Sequence, residues 1–248
     1  MSLSIENAIR LCEEGRCDEA LSVIDALMMD PASAVERNQL ASAKVNILMH
    51  TGRLAEAAAL AREIVARTSP ESIQCLNARH QIAAVLQLEG KNLQAAKEYA
   101  EIIAKEQEVN STGTESWFFD FMRLQRGICL VHLKQFDRAL EALLAVREAD
   151  QMPADWFVEW NYYRGLCFFE LCDFSNASVS LTRVLGTSNS ANLAKALYYL
   201  AQAEHENGRP KAAAEALARL AKMPMADVPA EYVQTLRARL APEGPGSM

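Results

Sequence analysis

Arg126-Gly127-Ile128-Cys129-Leu130-Val131-His132-Leu133-Lys134-Gln135-Phe136-Asp137-Arg138-Ala139 returns 38 residues later as Arg164-Gly165-Leu166-Cys167-Phe168-Phe169-Glu170-Leu171-Cys172-Asp173-Phe174-Ser175-Asn176-Ala177. Each copy sets a small residue (Gly127, Gly165) twelve positions ahead of an alanine (Ala139, Ala177), with an aromatic three positions before that alanine (Phe136, Phe174). Two helices that meet at a tight turn need small residues where their backbones cross and one large ring to fill the space beside them. A chain that repeats at such a period reads as an array of identical units.

Working outward from these two copies, the same spacing recurs at Ala8 and Ala20, Val45 and Ala57, Ala83 and Ala95, and Ala201 and Ala213. The second members fall at 20, 57, 95, 139, 177 and 213, in steps of 37, 38, 44, 38 and 36 residues. Five residues before the alanine stands Gly15, Gly52, Gly90 or Gly208 in four copies, and Lys134 or Cys172 in the other two. Glycine takes the left-handed conformation that ends one helix and admits the next. No run of alternating β-branched and aromatic residues lies between hairpin turns, so the chain reads as all-α.

These offsets resemble those of the tetratricopeptide-repeat (TPR) family, in which a small residue, a turn glycine, an aromatic and an alanine recur within a helix-turn-helix unit. The resemblance covers roughly residues 4 to 223. It implies a right-handed α-solenoid of about six TPR-like helix-turn-helix repeats plus a C-terminal capping helix, as one domain over residues 1–240 with a disordered tail at 241–248. The units exceed the family's usual length, Val45 breaks the small-residue rule, and Leu27, Ile64, Ile102, Val146, Val184 and Leu220 replace a customary small residue late in the second helix.

In order, helices are expected over Ser4–Glu14, Asp18–Met29, a third one capped by Ser33 and ending at Gly52, Ala55–Arg67, and Thr68 to Glu89 with Pro70 in its first turn. Gln94–Lys105 follows, then a loop over Asn110–Thr114 that accounts for the 44-residue step. Two aromatic-rich helices start at Thr114 and after Pro153, and helices containing Tyr198 and spanning Ala212–Lys222 complete the sixth unit. Pro224 and Pro229 bracket a loop before a closing helix over Glu231–Leu240, which shields the last unit.

Half of the 248 residues are apolar and the formal net charge is −7, with acidic and basic side chains interspersed. Direct nucleic-acid binding needs a basic stripe to displace counterions, and Arg79, Lys97 and Lys105 stand among Glu98, Glu101, Glu106 and Glu108. There is no basic and apolar leader and no run of 18 apolar residues, so a cytoplasmic setting without membrane insertion is expected. Six cysteines without a C-x-x-C pair read as small buried thiols. His50, His80, His132 and His205 are spread over four units, and no dinucleotide, phosphate-loop or nucleophile-elbow motif is present. No catalytic residue, metal or cofactor is assigned, and the chain is expected not to be an enzyme.

In the TPR array that the resemblance implies, first helices line a concave wall. The inward positions are Gln39, Ser42, Asn46 and Met49, then Asn77, His80, Ala84 and Gln87, an amide-rich half. They continue as Phe121, Leu124, Ile128 and Val131, then Glu159, Tyr162, Leu166 and Phe169, then Lys195, Tyr198, Gln202 and His205. The partner-binding set expected from this wall is Asn77, His80, Phe121, Leu124, Ile128, Tyr162, Leu166, Phe169, Tyr198, Gln202 and His205. The expected function is a non-catalytic scaffold or adaptor that holds a peptide or partner helix in the aromatic half of the wall. The same rings suit ordinary core, the permanent interface of a homo- or hetero-oligomer, or a secretion-type chaperone's hold on an apolar client. The family's lysine and arginine clamp for a terminal carboxylate has no counterpart in Ser42, Asn46, Gln81, Phe121 and Gln125. Arg126 and Arg164, beside the small residues, are expected to form structural ion pairs.

Overall fold

The computed structural model describes residues 4–29, 34–110, 116–147, 153–186 and 192–223, with 233–234 and 236–238, and for residue 110 the backbone alone. Ser33, most of the Asn110–Thr114 loop, the Pro224–Pro229 loop and the 241–248 tail lie outside the described residues, as does part of the Glu231–Leu240 helix. Thirteen helices and no strand occur among the described residues. The chain divides between Cys129 and Leu130 into two compact units.

In the first unit, α1 (Ile5–Glu13) pairs with α2 (Cys17–Met28), α3 (Ala34–His50) with α4 (Leu54–Arg67), and α5 (Ile73–Leu88) with α6 (Asn92–Ala104). The leading helices also meet one another, α1 against α3 and α3 against α5. A short α7 (Glu106–Asn110) follows, and α8 (Ser116–His132) crosses the division. The second unit holds α9 (Phe136–Leu144), α10 (Ala154–Glu170), α11 (Phe174–Val184), α12 (Leu193–Glu206) and α13 (Pro210–Leu220), each packed on the next.

Every pair turns in the same way. Gly15, Gly52, Gly90 and Gly208 have φ between 70 and 80°, and Lys134 and Cys172 take 57 and 61° at the equivalent position. The two N–H groups that follow each helix close back on its last turn: Gly15 N–H on the Cys12 carbonyl and Arg16 N–H on the Leu11 carbonyl at 2.8 Å. The non-glycine turns keep both bonds, with Lys134 and Gln135 donating to Val131 and Leu130, and Cys172 and Asp173 to Phe169 and Phe168. This motif satisfies carbonyls that the helix end leaves unpaired.

The small-residue rule has its physical cause in the spacing behind these turns. Ala8, Val45, Ala83, Ala201 and all six partner alanines are fully buried, and Gly127 and Gly165 are buried as well. A Cβ on Gly165 would stand 2.5 Å from the Leu181 Cγ and 3.3 Å from the Leu181 backbone nitrogen, so α10 and α11 approach too closely for any side chain there. Ile64, Ile102, Val146, Val184 and Leu220, the large residues late in second helices, are buried in both units. Val233 and Leu236, from the expected closing helix, are buried in the same cluster as Leu217 and Leu220.

Three local expectations are corrected. Thr68–Glu71 does not begin a helix: α5 starts at Ile73, capped by Ser72, whose hydroxyl accepts from the Cys75 N–H at 3.2 Å. Pro70 lies in the preceding turn, because a serine that also bonds the Ser69 carbonyl at 2.7 Å supplies the stronger start signal. α7 was not expected, and α13 begins at Pro210 in its first turn, ahead of Ala212.

Two substitutions test this packing by urea unfolding. Gly165→Ala gains helix propensity but loses more through overpacking on Leu181, for a net loss of about 1 to 2 kcal/mol. Lys134→Gly relieves a left-handed backbone and should raise stability by about 0.5 to 1 kcal/mol. Stabilisation by Gly165→Ala, destabilisation by Lys134→Gly, or no effect of either would contradict the turn geometry as the source of the repeat pattern.

Candidate peptide-binding groove

The helical period sets polar and apolar rows on the open face of α1, α3 and α5. Positions 5, 9 and 12 share one side of α1, positions 39, 42 and 46 one side of α3, and positions 74 and 77 one side of α5. Together they bound a groove of about 760 Å³ in the first unit, lined by Ile5, Ile9, Cys12 and Glu13, by Asn38, Gln39, Ser42, Asn46 and His50, and by Ile73, Gln74 and Asn77. Its lining contains five side-chain amides and no lysine or arginine. Ile9 and Ile73 remain 46% and 39% exposed, which leaves aliphatic surface uncovered beside the amides.

The α3 and α5 sides are tied by Gln81, itself buried, whose Nε2 donates to the Asn46 Oδ1 at 2.8 Å and to the Ser42 carbonyl at 2.9 Å. This fixes the Asn46 amide against α5 instead of leaving it free to rotate. Arg67 Nε donates to the Asn38 Oδ1 at 2.8 Å, holding a second lining amide. Arg79, the centre of the region where a basic stripe was sought, is bound by Glu98 at 2.9 Å and by Glu101.

The expected binding residues divide by environment. Asn77 lines the groove. His80 and Phe121 are half-buried and meet edge to face, ring centres 5.4 Å apart, and the Tyr99 ring centre lies 6.0 Å from the imidazole. Burial holds the His80 imidazole well below its ordinary 6.5, at about 4. Leu124 and Ile128 are buried, at 1% and 3% exposure. In the second unit Tyr162 is buried and its ring lies 5.1 Å from that of Tyr163. Burial, and then the neighbouring Tyr199 and Tyr163 hydroxyls, raise the Tyr162 phenol above its ordinary range. Leu166, Phe169, Tyr198 and Gln202 are half-buried, and His205 is exposed. Phe169 touches Phe174 and Tyr199 at 5.6 and 5.2 Å, and Tyr198 touches Tyr199 at 5.4 Å. Aromatic edge-to-face contacts thus occupy much of the ring surface within that unit.

Arg164 places its guanidinium 4.3 Å over the Trp160 ring, a cation-π contact. Trp160 is fixed for this by its indole N–H, which donates to the Leu143 carbonyl at 2.7 Å. Cys75, Cys129 and Cys167 are buried thiols as expected, and burial pushes Cys129 and Cys167 up to about 12. Cys172, at its turn, is exposed. Ile9 and Ile73 lie outside the inward positions, which begin at Gln39 in the second repeat and at Asn77 in the third. The 5, 9, 12 spacing in α1 was the available signal. No helix of the described residues is long and apolar enough to cross a membrane.

No protein-family model matches the chain, and no curated protein sequence matches it. Solved structures do. PilW, a type IV pilus biogenesis factor, is similar at 18% identity over 93% of this chain and 95% of its own, with a TM-score of 0.64. BtubC from P. vanneervenii is 17% identical over 100% of this chain and 96% of its own, at TM-score 0.62. YrrB, described as a TPR protein with an unusual peptide-binding site, is 15% identical over 86% of this chain and 96% of its own, at 0.61. The chain has the tetratricopeptide-repeat fold.

The buried neutral imidazole predicts a pH dependence. The unfolded chain protonates His80 near its ordinary 6.5 and the folded chain only near 4. The native state therefore binds fewer protons between those values, and stability contributed by the neutral ring is complete above pH 6.5 and falls as pH drops toward 4. Relative to wild type, His80→Gln should flatten this segment of the stability profile by about 2 to 3 kcal/mol. Identical profiles from denaturant unfolding at pH 7, 5.5 and 4 would show that the ring titrates normally in the fold.

Proposed function

We propose that this chain is a non-catalytic adaptor that holds an extended segment of another polypeptide in the groove of α1, α3 and α5. The observation that carries the proposal is the pairing of uncovered Ile9 and Ile73 with the anchored amides of Asn38 and Asn46. An extended peptide presents backbone N–H and C=O groups at regular intervals, and side-chain amides offer both a donor and an acceptor to them. Aliphatic side chains of the same segment would cover the two isoleucines. With Glu13 the carboxylate of the lining and no cation among its residues, the groove suits an internal segment better than a free C-terminus.

Support from the fold is of a general kind: a similar structure, that of YrrB, is of a TPR protein with an unusual peptide-binding site. The aromatic strip of the second unit, with half-buried Leu166, Phe169 and Tyr198 and exposed His205, remains the second reading, as a face for a partner helix or for a permanent subunit contact. Its rings are already engaged with one another, which ranks it below the groove.

The test is a fluorescence-anisotropy screen of labelled synthetic peptides in extended, apolar-polar alternating sequences. Ile9→Glu with Ile73→Glu, at exposed positions, should weaken the peptides that bind by tenfold or more while circular dichroism stays unchanged. Phe169→Ala with Tyr198→Ala, which are not among the groove's lining residues, should leave them within about twofold. The reverse ranking would move the site to the second unit. An obligate dimer in sedimentation with no peptide bound by any variant would replace the adaptor with the subunit reading.

A further inference from the structure

Cys12, Cys17 and His50 are distant in type and sequence from any metal motif, yet the fold gathers them. Their ligand atoms, two thiol sulfurs and an imidazole nitrogen, all lie within 4.8 Å of one another. We propose that these three residues form a binding site for a zinc-class divalent cation, with one coordination position left open.

The gathering follows from the α1–α2 turn. Cys12 is in the last turn of α1 and Cys17 is the first residue of α2, and the two are separated by four residues that include left-handed Gly15. Gly15 N–H donates to the Cys12 carbonyl at 3.0 Å, and the Cys17 thiol donates to the same carbonyl at 3.6 Å, so the second sulfur is turned back toward α1. His50 is the last residue of α3, which packs on α1, and it brings its ring to the pair from a different repeat.

Ligand chemistry fits. Two sulfurs and one nitrogen are the donors that borderline-soft zinc prefers over hard cations. At bond lengths of about 2.3 Å to sulfur and 2.0 Å to nitrogen, tetrahedral ligands stand roughly 3.5 to 3.8 Å apart. The three atoms must therefore close by about an ångström, which side-chain rotation can supply, because His50 is exposed and Cys17 half-exposed. Binding releases two thiol protons to solvent and leaves two thiolates, a neutral imidazole and a divalent cation. The set is neutral overall, which makes it compatible with the buried position of Cys12. Among the described residues, buried Cys75, Cys129 and Cys167 belong to no such cluster. Cys12 and His50 also line the groove, so the fourth position goes to water or to a donor atom of the groove's occupant. The site does not depend on the groove being a peptide site.

Cobalt titration of the full reduced chain reads the site directly. One equivalent should bind with thiolate-to-cobalt charge-transfer absorption and the ligand-field bands of a tetrahedral ion, and zinc should displace it. Cys17→Ser and His50→Gln should each weaken zinc binding by about tenfold to a hundredfold, in the range of lost coordination contacts. Cys172→Ser, at an exposed thiol outside the cluster, should leave the titration unchanged. Zinc should raise the midpoint of thermal unfolding by several degrees in the wild type but not in His50→Gln. Cys12→Ser is the least useful variant, because its side chain is buried and its loss can disturb the turn. Absence of the charge-transfer band in the folded wild type overturns the proposal. So does a band that keeps its intensity in folded Cys17→Ser or His50→Gln.

Discussion

Within each pair of helices, everything rests on how closely the two backbones may approach behind a turn that reverses the chain in a few residues. The reversal needs one residue in the left-handed region, and the closed pair of carbonyl bonds leaves almost no choice in where the second helix starts. Once that geometry is set, the residue twelve positions before each second-helix alanine is buried in the crossing, and a bulky side chain there would push the helices apart. Gly165 beneath Leu181 shows the limit, since even a methyl group would collide. Val45 shows the tolerance, because it is buried completely at the same repeat position.

The interior formed by these crossings also determines which polar and aromatic side chains stay available. Second-helix residues such as Ile64, Ile102 and Val184 are consumed by packing, and so are Leu124, Ile128 and Tyr162 on leading helices. Aromatic rings are large and flat, and a ring with another ring's edge against it loses much of the surface it would offer a partner. Short amide side chains behave differently. They gain little by burial, yet Gln81 can hold Asn46 by one hydrogen bond and the α3 backbone by another, which fixes a polar row without closing it. An open groove between α1, α3 and α5 therefore keeps both anchored amides and uncovered isoleucines.

The thiol and imidazole cluster follows from the same turn. Two residues flanking a left-handed glycine are brought to one side, and the neighbouring leading helix ends beside them. In an array of stacked units, a residue at the end of one leading helix meets the turn of another. Spacing rules built on a single helix or loop do not see such convergence, because its members belong to different repeats.

Sequence alone determined the helical-hairpin repeat, its six turns and its six residue pairs at a spacing of twelve, small at every position but Val45. These rest on local geometry: a left-handed residue, a proline or a short side chain acts within a few residues of itself, so its effect can be read from spacing. Helix ends were legible to within a few residues, and failed at Thr68–Glu71, where Ser72 competed as a cap. Tertiary structure decided which inward residues are covered, because burial depends on what the next unit supplies. Phe121 and His80 stand 41 residues apart in sequence yet share a ring contact, and Cys12 meets His50 across 38 residues. No helical period relates such pairs. The packing of one leading helix on the next is what brings them together.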